Sequence, residues 1–389
     1  MDRNVQRRTR ALFVYFFVPG LTLASWVTRT PEIRDAIGAS VAQMGLVLFG
    51  LSLGSMAGIL MAGRIVAARG TRFTALLGLS MVLASLVTVA AGVLLGSQFV
   101  AGCGLAFFGL GMGKTEIAIN LEGAQVEEIL KRPILHKLHG CFSLGTLSGA
   151  LVGLALVSLH VPVAVHMAAV AVLVAGLIIA FRHDIPAKNG IQTAHDRAVQ
   201  TAPKASVWQD SRVLLIGVIV FAMALAEGAA NDWLPIVMVD EHGFSAASGS
   251  LIFLAFTAAM TLGRFGGGVF LARYGAARVM RACAILGGAG IAYIIFGNNP
   301  WLAGIAVIMW GLGTSLGFPV ALSSAGSGGG DSTARVKAVA TVGYLAMLVG
   351  PPGLGFVGEH HGLRSALMIV VLLIAVAALT ARAVSPRTA

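Results

Sequence analysis

Twelve apolar runs, each close to the length that crosses a bilayer, follow one another along this 389-residue chain. A bilayer core takes about 20 apolar residues per helix. Runs of that size fall near 11–29, 41–63, 73–95, 99–121, 134–158, 162–181, 212–237, 245–270, 277–297, 301–323, 335–357 and 364–383. With 57% hydrophobic and 11% charged residues, the chain lacks the charge to clothe a soluble surface of this size. The 50 glycines fit the same reading, because small residues let membrane helices approach closely. The predicted fold class is an all-α polytopic membrane protein, with twelve transmembrane helices in two six-helix bundles.

The longest polar stretch, Arg182–Arg212, divides the chain into an N-terminal bundle (1–182), a linker (183–211) and a C-terminal bundle (212–389). The halves are related. At a constant offset of 205, Gly38 meets Gly243, Ser40 meets Ser245, Gly58 meets Gly263, Gly63 meets Gly268 and Gly70 meets Gly275. The fourth and tenth spans share Gly109-Leu110-Gly111 and Gly311-Leu312-Gly313, each after an aromatic residue, Phe108 or Trp310. Parallel six-helix repeats belong to a transporter architecture.

The net charge of +11 has two readings, nucleic acid or membrane orientation. No basic stretch carries interleaved aromatics, so nucleic acid is set aside. Loop orientation accounts for the charge: apart from Arg29, Arg34, Arg364 and Lys114, the basic residues fall on one side of the predicted topology. That side is expected to be cytoplasmic, with both termini there and the chain in a bacterial inner membrane. Arg3–Arg10 before an apolar run imitates a signal peptide. With no small-x-small cleavage site, it reads as a retained first helix. Cys103, Cys141 and Cys283 lie in apolar runs without CxxC spacing and read as small hydrophobes.

The turn between spans 2 and 3 runs Gly63, Arg64, Ala67, Arg69, Gly70, Arg72; its echo runs Gly268, Ala272, Arg273, Gly275, Arg278. Two such halves with this turn resemble the major facilitator superfamily, whose loop reads roughly G-x-x-x-D-R-x-G-R-R. The acidic position is Ala67 in one copy and Ala272 in the other. The latch attributed to that acid therefore has no carboxylate here. The resemblance assigns gating to Gly63, Arg69, Gly70, Arg72 and Arg273, with close backbone packing as one use of the glycines.

Within that superfamily, Glu116-Ile117-Ala118-Ile119-Asn120 resembles the fourth-helix Glu-x-Ala-x-Asn of the fucose permease group of proton symporters. The stretch through Gly123, Arg132-Pro133 and His139-Gly140 is similar to an uncharacterised bacterial branch that includes rhizopine-type permeases. So is the first-helix pattern Gly20, Trp26, Arg29, Pro31. The first-helix acid of fucose permeases has no counterpart near Leu23–Ala24, so proton coupling would rest on fewer carboxylates.

Glu116 and Asn120 are i and i+4 and share a helical face. An ion in such a segment costs about 2.5–3.5 kcal/mol on insertion scales, which argues for a pathway rather than lipid. A carboxyl held away from bulk water can take up a proton near neutral pH. Glu227 and Asn231 repeat the spacing in the seventh span. Glu116 and Glu227 are the expected proton-coupling pair. Asn120, Asn231, Trp26, Arg29, Asp232 and Lys114 are candidates for substrate binding, and His139 for a gate hydrogen bond. Each has a plainer alternative: packing for the polar pairs, interfacial anchoring for Trp26, Arg29, Asp232 and Trp233, and snorkelling for Lys114.

Other chemistries fit poorly. Gly109–Thr115 imitates a phosphate loop, but Phe108 occupies the first required glycine. His136 and His139 lack a third ligand for a metal. No Ser/His/Asp or HExxH set occurs, so no enzyme and no cofactor are expected. The expected function is secondary active transport of a small polar solute (sugar-, polyol- or amino-sugar-like) by alternating access, as proton-coupled symport. The alternatives are proton-coupled export of an amphiphilic compound and a non-transporting membrane sensor or scaffold. The expected partners are solute, protons and lipid, and the expected state is a monomer.

Overall fold

Apolar runs in lipid fold as helices because each backbone group must find its partner within the segment. The computed structural model describes residues 3–130, 134–187, 189–191, 207–327 and 332–385, and the regular elements among them are all helical. Arg132 and Pro133, and the side chain of His136, lie outside the described residues. The chain divides into two units, one of Met1–Ala39 with Leu46–Pro203 and one of Ser40–Gly45 with Lys204–Ala389.

The first unit holds α1 (Arg3–Val27), the short α2 (Thr30–Ala36), most of α3 (Val41–Leu95), α4 (Gln98–Leu130), α5 (Leu135–Ser158) and α6 (Val163–Phe181). The second holds α7 (Ser211–Asp240), α8 (Ala246–Tyr274), α9 (Ala276–Phe296), α10 (Pro300–Thr314), α11 (Gly317–Gly326), α12 (Ser332–His361) and α13 (Leu363–Thr380). Among the described residues, ten segments are long and apolar enough to cross a membrane. One of them, the 55-residue α3, contains two passes broken at Gly70. Adding α4, which is apolar through its first half, gives the twelve passes read from the sequence. Large apolar side chains such as Leu60, Phe99, Val172, Leu262 and Val269 are each more than two-thirds exposed, a surface suited to lipid.

Two boundaries differ from the sequence reading. The first helix begins at Arg3 rather than near residue 11, so the basic arm is helical. The tenth pass is interrupted between Thr314 and Gly317. Pro319 explains this, since a proline is accommodated in the first turn of a new helix but not inside a continuous one. Conversely, α12 runs on through Pro351 and Pro352, although an internal proline ordinarily kinks or breaks a helix. In a membrane, neighbouring groups can satisfy the carbonyls a proline frees.

The repeat is visible in the backbone of each unit. Gly70 (φ 85°, ψ 168°) and Gly275 (φ 78°, ψ 159°) adopt the same glycine-only conformation, 205 residues apart. Ser40 Oγ accepts from Gln43 N at 3.3 Å, and Ser245 Oγ accepts from Ser248 N at 3.2 Å. Gln43 Oε1 accepts from Ser40 N at 2.9 Å and completes the capping box. Gly63 and Gly268 behave otherwise. Each has open space where a Cβ would sit, so close backbone packing is not what these two glycines serve.

Candidate functional site

The fourth helix is positioned by its glycines. A Cβ on Gly109 would strike the Leu51 carbonyl, and one on Gly113 would lie 2.5 Å from the Ser55 carbonyl, so α4 seats against the first pass of α3. A Cβ on Gly111 would lie 2.5 Å from the Gly78 carbonyl, which brings the second pass equally close. Glu116 and Asn120 fall seven residues after Gly109 and Gly113 and continue their stripe. There the stripe is no longer covered. Glu116 is exposed, and its carboxylate makes no hydrogen bond or ion pair among the described residues.

Asn120 is engaged on both sides. Its Nδ2 donates to the Glu116 carbonyl at 2.9 Å, and its Oδ1 lies 3.0 Å from His139 Nε2 on α5. The His139 ring stands edge-on to Phe16 of α1, with centroids 5.1 Å apart. The gate candidate His139 and the binding candidate Asn120 thus form one polar cluster beside Glu116. Lys114 is buried to 2% exposure. Its Nζ reaches only the Leu110 carbonyl, at 3.4 Å, and it has no carboxylate partner among the described residues.

Trp26 is buried against Phe108 of α4, edge-on at 6.2 Å, with its indole nitrogen unpartnered among the described residues. Arg29 is fully buried and turned to its own end of the bundle. It donates to the Val161 carbonyl through Nη2 and pairs with Glu32 at 2.9 Å through Nη1. Burial outweighs this pairing for Glu32 and raises its carboxyl above the ordinary range. The structure therefore does not bring Arg29 to Glu116.

In the second unit, Glu227 of α7 accepts from Arg264 of α8 at 2.9 Å. Asn231, one turn on, is half-buried. Asp232 is 7% exposed with no partner among the described residues, and the Trp233 indole nitrogen beside it is also unpartnered among them. Trp310 of α10, the counterpart of Phe108, donates through Nε1 to the Ala226 carbonyl at 3.1 Å.

The basic end of the first unit carries a centre that the sequence reading missed. Glu122 is fully buried and accepts from Arg8 Nε and from Thr71 Oγ1, the latter at 2.6 Å. Asn189 Nδ2 donates to both its oxygens, at 3.2 and 3.3 Å. The Asn189 carbonyl in turn accepts from Thr71 N at 2.8 Å. A carboxylate from α4 thereby holds the Gly70–Thr71 turn, whose own acidic position is Ala67. The gating candidates of this turn pair with no carboxylate among the described residues: Arg72 lies 2.7 Å from His183 Nδ1 and Arg69 lies over the Phe73 ring. In the second unit, Arg273 lies over the Tyr274 ring. The one available signal for this centre was Glu122 itself, a carboxylate six residues beyond Glu116 in the same helix.

Among the described residues, twelve helical passes with ionisable groups held inside them define a multi-pass integral membrane protein. The chain belongs to the Major Facilitator Superfamily, whose sequence pattern it matches over residues 138–344. It is 29% identical over 372 residues to an uncharacterized MFS-type transporter of Yersinia pestis, covering 95% of this chain and 94% of that one. Among solved structures, it resembles a mutant of the nucleoside transporter NupG with a TM-score of 0.79 and 14% identity, covering 97% of this chain and 99% of that one. It also resembles a mutant of the E. coli fucose:proton symporter FucP, with a TM-score of 0.67 and 16% identity, covering 99% and 100%.

Proposed function

We propose that this transporter moves a small polar solute by proton-coupled symport, with Glu116 as a proton-binding carboxyl. The observation that carries the reading is the exposed Glu116 carboxylate, without a partner among the described residues, on the glycine-seated α4 beside the Asn120–His139 cluster. An unpaired acid in a spanning helix is costly, and its retention is explained by a changing protonation state. Protonation removes the charge, and the two conformations of an alternating-access cycle then differ in how well they accept that site. The nucleoside transporter and fucose:proton symporter that share the fold support a sugar-like solute class. The one-sided distribution of basic loop residues supports a bacterial inner-membrane protein with both termini in the cytoplasm.

The test begins with a thermal-shift screen of the purified protein against sugars, inositols and amines at two pH values. A hit is then carried into liposomes under an imposed proton gradient. Uptake that depends on the gradient and is abolished by Glu116→Gln is expected. Gradient-driven uptake that survives Glu116→Gln overturns the assignment of Glu116.

A further inference from the structure

We propose that Asp232, rather than Glu227, is the proton-carrying carboxyl of the second unit. This rests on the proton-coupled reading above and deepens it. The two acids lie five residues apart on α7 in opposite circumstances. Glu227 has a counter-ion, Arg264, at 2.9 Å, so its charge is compensated within the unit. Asp232 is 7% exposed and has neither ion pair nor hydrogen bond among the described residues.

None of the charged groups described on the helices packed against α7 bonds or pairs with Asp232. On α8, Arg264 serves Glu227, and Arg273 lies over Tyr274. On α12, Arg335 Nε donates to the Ala325 carbonyl, Glu359 accepts from Ala42 N, and His360 and His361 close the helix end. Tyr344 of the same helix stands beside Phe318, and the side chain of Lys337 lies outside the described residues. On α13, Arg364 donates to the Glu241 carbonyl and to Asn298. Neither α10 nor α11 carries a charged residue. An ionised Asp232 would therefore be a buried charge without compensation, an unfavourable state. A bound proton removes that cost without needing space. The low exposure of Asp232 and Trp233 favours a proton over a solute cation at this position. In the loading step, a hydronium ion donates its proton to an Asp232 Oδ and leaves as water. In the unloading step, that O–H bond breaks and a water molecule takes the proton.

The experiment is infrared spectroscopy of the full-length protein in lipid, titrated with pH in light and heavy water, and it needs no transported solute. The wild type is expected to show a protonated-carboxyl C=O band that shifts on deuteration and disappears as the pH rises. Asp232→Asn is expected to lose that component and Glu227→Gln to keep it, with Glu116→Gln marking the contribution of α4. Asp232→Glu, which retains a carboxyl, is expected to move the band rather than lose it, and it serves if the Asn variant does not fold. The proposal is overturned by a band unchanged in Asp232→Asn or lost in Glu227→Gln. It is equally overturned by an Asp232 proton that never exchanges, or by an Asp232 already ionised at neutral pH, as a bound cation would make it. None of these results depends on whether solute uptake is found.

Discussion

Arg264 Nη2 donates to Glu227 Oε1 at 2.9 Å, joining α8 to α7 across 37 residues of sequence. The pair is only partly shielded, with side-chain exposures of 31% for Arg264 and 14% for Glu227. Arg264→Met leaves the carboxylate short of its counter-ion and should cost about 1–3 kcal/mol, less than a fully buried pair would lose. The double variant Glu227→Gln/Arg264→Met should recover most of that loss. Unfolding of Arg264→Met, Glu227→Gln and the double variant beside the wild type in one detergent completes the cycle, and additive losses would show that the contact contributes little.

Glu122→Ala should be more damaging. The carboxylate is fully buried and holds Arg8, Thr71 and Asn189 together, so its loss leaves the buried Arg8 guanidinium with Gln125 Oε1 at 2.8 Å but without a counter-ion. A cost of about 3–5 kcal/mol is expected. Thr71→Val removes one hydrogen bond to the same carboxylate and should cost about 1–3 kcal/mol. The two midpoints measured by thermal unfolding check this order.

Gly70 and Gly63 bound the same turn yet should respond oppositely to alanine. Gly70 has φ +85°, and a Cβ would lie 2.7 Å from the Ala187 carbonyl and 2.8 Å from that of Asn189. Gly70→Ala should destabilise by about 1–3 kcal/mol or more. Gly63 is helical with open space around it, so Gly63→Ala should be neutral or stabilising by up to about 1 kcal/mol. Equal effects in a thermal-unfolding comparison would contradict the backbone argument.

His242, in the loop after α7, gives a pH-dependent term. Its Nε2–H donates to the Ile294 carbonyl at 2.9 Å, and its Nδ1 accepts from Arg364 Nη2 at 3.2 Å. Burial holds the imidazole below its ordinary range, and the Arg364 charge adds to that, against the opposing Ile294 bond and Glu241 charge. The unfolded chain therefore binds this proton more readily. The stabilising contribution is present above about pH 6.5, the unfolded value, and is lost as the pH falls through the lower folded value. His242→Gln should flatten the acid side of a melting-temperature profile, and an unchanged profile would rule out this role.

The apolar runs, the two related halves and the turns at Gly70 and Gly275 were legible in the sequence. Each is a local property: run length decides whether a segment spans lipid, and a positive φ selects glycine wherever the chain lies. The partners of the charged residues were not legible. Arg8 read as one more basic residue of a terminal arm, yet it reaches Glu122 across 114 positions. Arg264 read as a loop charge, yet it neutralises Glu227, while Lys114 and Asp232 are left without counter-ions among the described residues. Helices that are apolar on every side do not announce which face meets which neighbour. That rotation is set by close contacts such as Gly109 on Leu51 and Gly113 on Ser55, and these exist only once the helices pack.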